Sequence, residues 1–199
     1  TTSSTITFPL SSPGILSAST LPIGVTSTNL TSVVLGTSVT SIADDTFKDF
    51  TSLQSVTISN TVTDIGNSAF KNTGLLSVTI PDSVTAIGES AFEGSSAMTS
   101  VTLGTGIRTF GDNAFKGCTN LGEFFPKDSS SLTLAAIGDN AFENTDLYSF
   151  NIPNSVTTIN SNALAGSNIN KLYATYILLD RFNKTTGVQT IFGLSLIHI

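Results

Sequence analysis

Hydrophobic and polar residues alternate in short stretches that recur along the chain at nearly constant spacing. In Ser55-Val56-Thr57-Ile58, the Val and Ile side chains lie on one side of an extended strand and the Ser and Thr side chains on the other. Equivalent stretches begin at Leu30, Leu53, Leu75, Met98, Leu121, Leu147 and Ile169, at steps of 23, 22, 23, 23, 26 and 22 residues. This pattern predicts a repeat protein whose unit contains one short strand.

Each unit continues with three further features. A corner residue follows the strand: Gly36, Ser59, Pro81, Gly104, Pro126 or Pro153. A second apolar pair comes next, such as Val62 with Ile65, and predicts a second short strand. The unit ends on a large apolar residue that usually follows Ala: Phe47, Phe70, Phe92, Phe115, Phe142 and then Leu164.

These features predict a solenoid. One unit cannot bury its apolar face alone, but stacked units bury a continuous core because equivalent residues lie one above another. The first strands then form a parallel sheet with about 4.8 Å between coils, and the connections are expected to be right-handed. We expect short strands and helical turns on the other side, and a buried column formed by the five Phe rings.

Residues 78–92, Val-Thr-Ile-Pro-Asp-Ser-Val-Thr-Ala-Ile-Gly-Glu-Ser-Ala-Phe, resemble the BspA-like, or treponemal, type of leucine-rich repeat. The resemblance covers about residues 30–174. It implies a curved leucine-rich repeat solenoid on bacterial or protist surfaces, with adhesive and protein-binding roles. The later units depart from the pattern, because Pro126 replaces an inward Ile, a four-residue insertion follows at 127–130, and Asn160 replaces the usual Gly.

The two ends differ from the repeats. Residues 1–29 are interpreted as a degenerate repeat that caps the solenoid, residues 30–174 as the repeats, and residues 175–199 as a C-terminal cap or tail. The stretch from Gly193 to Ile199 resembles translated sequencing-adapter sequence, so the natural C-terminus is expected to differ. No signal peptide opens the chain, which predicts a mature form or a fragment.

Composition narrows the class of protein. The 199 residues include 28 Ser and 31 Thr, yet 39% are hydrophobic, so a core can form. One Cys excludes an intrachain disulfide, and no apolar run has the length of a membrane span. Eight scattered Lys and Arg residues against a net charge of −6 make nucleic acid an unfavourable partner.

The candidate chemistry does not favour an enzyme. The chain has one His, His198, and no Gly-x-Ser-x-Gly motif or phosphate-binding loop, so we expect no catalytic residues and no cofactor. A polar column precedes the Phe series by three residues: Asp44, Asn67, Glu89, Asp112 and Asp139. Stacked carboxylates suit Ca²⁺, but capping of the expected helical turns is favoured, so no metal site is predicted. Cys118 is expected to be a buried small residue.

The outward strand positions provide the candidate binding site. Early units place Ser and Thr there, whereas later units place larger or charged side chains: Glu123, Phe125, Asn151, Lys171 and Tyr173. An outward Phe125 is typical of a binding surface, although packing beneath the insertion explains it equally well. Ice binding by a flat Ser-x-Thr array is disfavoured, because only three neighbouring strands carry that pattern fully. Asn29 and Asn183 lie in glycosylation sequons.

The sequence therefore predicts a non-catalytic extracellular or cell-surface module that binds a protein or glycan partner through its strand face. The alternative is a structural subunit of an extracellular fibril, formed by end-to-end contacts between solenoids.

Overall fold

The computed structural model describes residues 4–8, 14–126, 132–160, 162–169 and 171–173. Two sets of short strands alternate along the chain. We call the first set face A: β1 (Ser4–Thr7), β3 (Leu30–Val34), β5 (Ser55–Thr57), β7 (Ser77–Ile80), β9 (Ser100–Leu103), β11 (Glu123–Pro126), β13 (Ser149–Asn151) and β15 (Lys171–Tyr173). We call the second set face B: β2 (Gly14–Leu16), β4 (Val39–Ile42), β6 (Asp64–Ile65), β8 (Ala86–Ile87), β10 (Thr109–Phe110), β12 (Ala136–Ile137) and β14 (Thr158–Ile159).

Six coils, from β3 to β14, each contribute one strand to face A, one to face B and a turn segment that we call face C; β1 and β2 precede them and β15 follows. The face C segments are residues 44–50, 67–72, 89–94, 112–117, 139–144 and 162–166. The strand pairs within each face are parallel and join equivalent residues of successive coils, for example Val78 with Val101 and Ile65 with Ile87. The predicted parallel β-solenoid is therefore confirmed.

The two strand faces differ in continuity. On face B, β2, β4, β6, β8, β10, β12 and β14 form one sheet of seven strands. On face A the described strands form three separate ladders, β1–β3–β5, β7–β9–β11 and β13–β15. Face B therefore runs through the whole stack, whereas face A is interrupted twice.

Face C contains hydrogen-bonded turns in place of the predicted helical turns. In the described residues the only helix is a 3-10 helix at Ala18–Thr20. Each of the six face C segments has two residues in the left-handed region, for example Ser68 at φ 53° and Asn72 at φ 56°, and this prevents a helix from continuing. Asn, Asp and Gly predominate at these positions because they tolerate a positive φ at low cost.

The turn segments are bonded to one another by their backbones. The N–H of Phe70 donates to the carbonyl of Ala91 at 2.7 Å, and that of Phe92 donates to Ala114 at 2.8 Å. The N–H groups of the two left-handed residues also donate to the following coil, as Asn72 does to Glu93 at 2.8 Å. Face C therefore extends the hydrogen bonding between coils around the third side of the solenoid.

The core is a column of stacked Phe rings surrounded by aliphatic side chains from faces A and B. The five rings have no exposed surface, and successive ring centroids lie 5.2–5.3 Å apart: Phe47, Phe70, Phe92, Phe115 and Phe142. This spacing is close to the separation of neighbouring strands, about 4.8 Å. The coil repeat therefore sets the distance between the rings.

Many of the Ser and Thr side chains bond one coil to the preceding one. At the corners and on face B, Thr61 donates to the carbonyl of Val39 at 2.7 Å, Thr63 to that of Thr40 at 3.2 Å and Ser155 to that of Leu132 at 3.1 Å. These bonds add side-chain links to the backbone ladders. They explain in part why a chain with 28 Ser and 31 Thr forms an ordered stack.

Candidate functional site

The outward side chains of face A form two columns along the solenoid. Backbone pairing aligns Ser32 with Ser55 and Ser77 with Ser100 in one column, and Thr79 with Thr102 in the other. Among the described residues of β3 to β9, these columns contain one hydrogen bond, from Ser55 to Ser32 at 2.8 Å. Most outward hydroxyls of face A are therefore not used by the protein itself, unlike those at the corners.

Charge is concentrated on a different side of the solenoid. Eight acidic residues lie in or directly beside the face C turns: Asp44, Asp45, Asp49, Glu89, Glu93, Asp112, Asp139 and Glu143. Three basic residues lie there too: Lys48, Lys71 and Lys116. Strands β1, β3, β5, β7 and β9 contain no charged residue, and the first charge on face A is Glu123. Face A is consequently a nearly uncharged surface up to β11.

The predicted binding residues lie on the last strands of face A. The side chains of Glu123 and Asn151 are exposed. The backbone places Phe125 opposite Thr102, Lys171 opposite Ser149 and Tyr173 opposite Asn151. The side chains of Phe125, Lys171 and Tyr173 lie outside the described part of the structure, so their grouping remains a prediction. The structure places Asn151 and Tyr173 in one ladder and Phe125 in another.

In the polar column before the Phe series, Asp44, Asn67 and Asp112 accept hydrogen bonds from the next coil and not from their own turns, which corrects the expectation of capping for these three residues. The N–H of Asn67 donates to Oδ1 of Asp44 at 2.6 Å, although the two residues belong to successive coils. The same bond joins the N–H of Glu89 to Asn67 at 2.8 Å and that of Asp139 to Asp112 at 2.7 Å. The column therefore links coils. Within the described residues, no group of three or more His, Cys, Asp or Glu side chains is arranged to hold a metal ion.

The tight packing behind this column requires glycine at Gly66 and Gly111. A Cβ atom added to Gly66 would lie 2.6 Å from the backbone nitrogen of Asp44, and one added to Gly111 would lie 2.6 Å from that of Glu89. These distances are too short for any real side chain. Glycine in this slot therefore lets the polar column approach the next coil.

Two ion pairs join successive coils on face C. Lys71 Nζ lies 2.9 Å from Glu93 Oε2, and Lys116 Nζ lies 2.7 Å from Glu143 Oε2. Partial burial opposes the charge of Glu93, but hydrogen bonds from Lys71 and Ser90 and the Lys charges outweigh it, so the pKa of Glu93 is lowered from its usual value of 4.5. These side chains have partners in the fold and have a structural role.

Cys118 is fully buried, and its Sγ donates to the carbonyl of Phe92 at 3.1 Å. Burial raises the pKa of its thiol to about 12. A thiol with this pKa is not ionised near neutral pH and is a poor nucleophile. Thr73 and Ser95 occupy the equivalent slot in earlier coils and donate to the carbonyl of Phe70, so Cys118 continues a column of small donors.

Asn29, one of the two sequon residues, is used to close a loop. Its Nδ2 donates to the carbonyl of Gly24 at 2.9 Å, and its Oδ1 accepts the N–H of Thr26 at 2.9 Å. Asn183 and His198 lie outside the described residues.

Sequence reasoning did not single out two exposed apolar residues, Leu76 and Tyr148. Each directly precedes a face A strand, and each side chain is about half exposed, at 51% and 50%. Both follow a connection from the preceding Phe that is one position shorter than the connection before it, and this change in length was the available signal.

The family of the chain follows from its repeats. The model of the BspA type leucine rich repeat region matches residues 25–136, 51–171 and 127–188, with six copies. These ranges cover most of the chain, so the chain belongs to the BspA-type leucine-rich repeat family.

Solved structures have the same fold. A leucine-rich repeat protein from Bacteroides ovatus is 22% identical with a TM-score of 0.50, over 86% of this chain and 54% of that chain. One from Eubacterium ventriosum is 24% identical with a TM-score of 0.51, over 70% of this chain and 43% of that chain. The present chain thus spans about half the length of these relatives. A search of curated protein sequences gives no match, and none of the described helices is long and apolar enough to cross a membrane.

Proposed function

We propose that the chain is a non-catalytic module of an extracellular or cell-surface protein that binds a protein or glycan partner through face A. This proposal rests on one observation: most described outward hydroxyls of face A make no hydrogen bond within the fold. The described hydroxyls of β5, β7 and β9 are bonded within the fold only at Ser55, whereas the corner hydroxyl of Thr61 and the face C pair of Lys71 with Glu93 are bonded between coils. A repeat surface with unused hydrogen-bonding groups suits recognition of a large partner by many weak contacts.

The contact is proposed to centre on the C-terminal half of face A. Glu123 and Asn151 are exposed there, and the strand positions of Phe125, Lys171 and Tyr173 continue the same outward columns. Aromatic side chains supply large contact areas and dominate the energy of many interfaces. Earlier strands offer only small side chains at these positions.

A binding panel tests this function. The full chain is immobilised and probed by surface plasmon resonance with extracellular matrix proteins and with neutral and acidic glycans. The double variant Phe125→Ser with Tyr173→Ser is expected to lose at least about tenfold in affinity, because it removes both anchors. Thr57→Ala with Thr79→Ala is the matched control and should lose far less affinity, because it removes only two of many weak contacts. The reverse ranking of the two double variants, or no binding across the panel, would contradict the proposal.

A second candidate function is end-to-end assembly into a fibril. Among the described residues, no strand pairs with the outer edges of β1 and β2, and two exposed Ile side chains, Ile15 and Ile23, lie on the same N-terminal coil. Open strand edges favour pairing with another chain, and a head-to-tail contact that does not close produces a filament.

Electron microscopy and sizing distinguish this candidate from the first. Fibres of the full chain that disappear when residues 1–20 are deleted would support it, provided that the middle repeats stay folded, as nearest-neighbour stability predicts. A discrete monomer at high concentration would rule it out and leave the binding function untouched.

A further inference from the structure

The two interruptions of face A coincide with a change in the length of one connection. The connection runs from the Phe of one coil to the apolar residue before the next face A strand. It spans six positions from Phe47 to Leu53, before β5, and five from Phe70 to Leu75, before β7. It again spans six from Phe115 to Leu121, before β11, and five from Phe142 to Leu147, before β13. Among the described strands, the ladder stops between β5 and β7 and between β11 and β13.

Where the connection keeps its length or becomes longer, the neighbouring face A strands pair. The connections before β9 and β11 both span six positions, those before β13 and β15 both span five, and both strand pairs are formed. The connection lengthens from five to six positions between β7 and β9, which also pair. A shortened connection is not long enough to follow the path of the connection in the preceding coil. A lengthened connection can still follow that path. Only shortening therefore separates two strands.

Side-chain burial identifies the same two places independently. The central inward side chain is buried in β3, β7, β9 and β13, at Val33, Val78, Val101 and Phe150. It is half-buried in the strands that precede the interruptions, at Val56 in β5 and Phe124 in β11. The exposed Leu76 and Tyr148 lie at the start of the strand on the other side. These differences in exposure mark both interruptions, which we call the seams. Some contacts still cross them: the N–H of Leu76 donates to the carbonyl of Gln54 at 3.1 Å across the first, and the rings of Phe124 and Phe150 lie 5.9 Å apart across the second.

The other two sides of the solenoid continue without a break across each seam. On face B, Ile65 pairs with Ile87 across the first seam and Ile137 with Ile159 across the second. On face C, Phe70 donates to Ala91 and Phe142 to Ala163, each at 2.7 Å. The rings of Phe70 and Phe92 remain stacked at 5.3 Å. Any relative movement of the coils must therefore open face A while faces B and C act as the joint.

We propose that face A consists of three panels, β1–β3–β5, β7–β9–β11 and β13–β15, which bend relative to one another at the two seams. The bend changes the curvature of face A and leaves the Phe column intact. Its role rests on the proposed function, because it lets the binding face adapt its shape to a large partner. The bend itself is a property of the free chain and needs no partner.

Hydrogen exchange of the free, full chain tests the first seam. Backbone amides that point into the seam lack the ladder bond that protects the equivalent amides elsewhere. The fastest amide among Val78–Ile80 is expected to exchange at least about tenfold faster than the fastest among the equivalent residues Val101–Leu103. Equal rates in the two groups would overturn the proposal.

An insertion tests the cause. One Ser inserted between Thr73 and Gly74 restores the connection from Phe70 to Leu75 to six positions. Exchange of Val78–Ile80 is then expected to slow to the rate of Val101–Leu103. A folded insertion variant whose seam amides still exchange rapidly would refute connection length as the cause. If the variant does not fold, the comparison of exchange rates between Val78–Ile80 and Val101–Leu103 in the unaltered chain decides the proposal.

Paired spin labels test the bending itself. In a Cys118→Ser background, labels at Thr57→Cys and Thr102→Cys span two coils and cross the first seam. Labels at Thr7→Cys and Thr57→Cys span two coils without a seam and serve as the matched control. The pair that crosses the seam is expected to give the broader distance distribution by electron paramagnetic resonance. Equal widths would show that the seam does not bend, whatever the binding panel finds.

Discussion

The rings of Phe92 and Phe115 lie 5.2 Å apart, with their planes within 1° of parallel. The two residues are 23 positions apart in the chain, which is one repeat. Their parallel arrangement follows from the backbone, because the N–H of Phe92 donates to the carbonyl of Ala114, the residue directly before Phe115. The aromatic column is thus held by the backbone as well as by contacts between the rings.

Replacement of a ring in the middle of the column is expected to be costly. Phe92→Ala removes a fully buried side chain that contacts rings on both sides, and the solenoid cannot collapse around the gap without breaking its ladders. We expect a loss of about 3–5 kcal/mol in the free energy of unfolding, measured by denaturant melts. Leu76→Ala, at a half-exposed position, is the control and should cost far less. A loss below about 1 kcal/mol for Phe92→Ala would contradict a core role.

A glycine in the polar column gives a second prediction. A Cβ atom at Gly111 would lie 2.6 Å from the backbone nitrogen of Glu89, so Gly111→Ala forces two coils apart. We expect a destabilisation of about 1–3 kcal/mol in denaturant melts. At Gly122 the nearest atom to an added Cβ is 3.9 Å away, so Gly122→Ala should leave the stability almost unchanged. Similar effects of the two substitutions would count against the close approach of coils.

The side-chain bonds between coils predict a specific ranking at Asp112. Asp112→Asn retains an oxygen that accepts the N–H of Asp139, whereas Asp112→Ala removes it. We expect Asp112→Ala to lower the free energy of unfolding by about 0.5–1.5 kcal/mol and Asp112→Asn to cost less. Since the column links coils, a chelator should leave the melting temperature unchanged. A large rise in melting temperature on addition of Ca²⁺ would instead indicate a metal site.

The ion pair at Glu93 predicts a dependence of stability on pH. The folded pKa of Glu93 is lowered, so its contribution is present above the usual value of 4.5 and is lost as the pH falls through the folded pKa. The melting temperature of Glu93→Gln should therefore lie below that of the unaltered chain at neutral pH, with the difference shrinking in acid. Glu123→Gln, at an exposed position, is the control. A difference that is constant with pH would exclude the ionised pair as its source.

The sequence alone determined the repeat and hence the solenoid. The step of 22–26 residues, the alternation in Ser55-Val56-Thr57-Ile58 and the recurring Phe are visible in one dimension because each coil contacts mainly its neighbours. The same pattern identified which strand residues face outward. It also supported the assignment of the chain to the BspA-type family, which the match to the family model shows directly.

The tertiary structure decided what the polar residues do. Sequence reasoning assigned Asp44 and Asp112 to the caps of their own turns, because a cap is a contact within a few residues. Their actual partners, the N–H groups of Asn67 and Asp139, lie 23 and 27 residues away, and only the stacking of coils brings them within reach. The place of a Thr in the stack likewise decides its role. Thr61 lies at a corner and its hydroxyl bonds to the preceding coil, whereas Thr79 and Thr102 lie in the outward column of face A. The difference of one residue before Leu75 is also visible in the sequence, but its effect on face A depends on the path of the connection beneath it, which exists only in three dimensions.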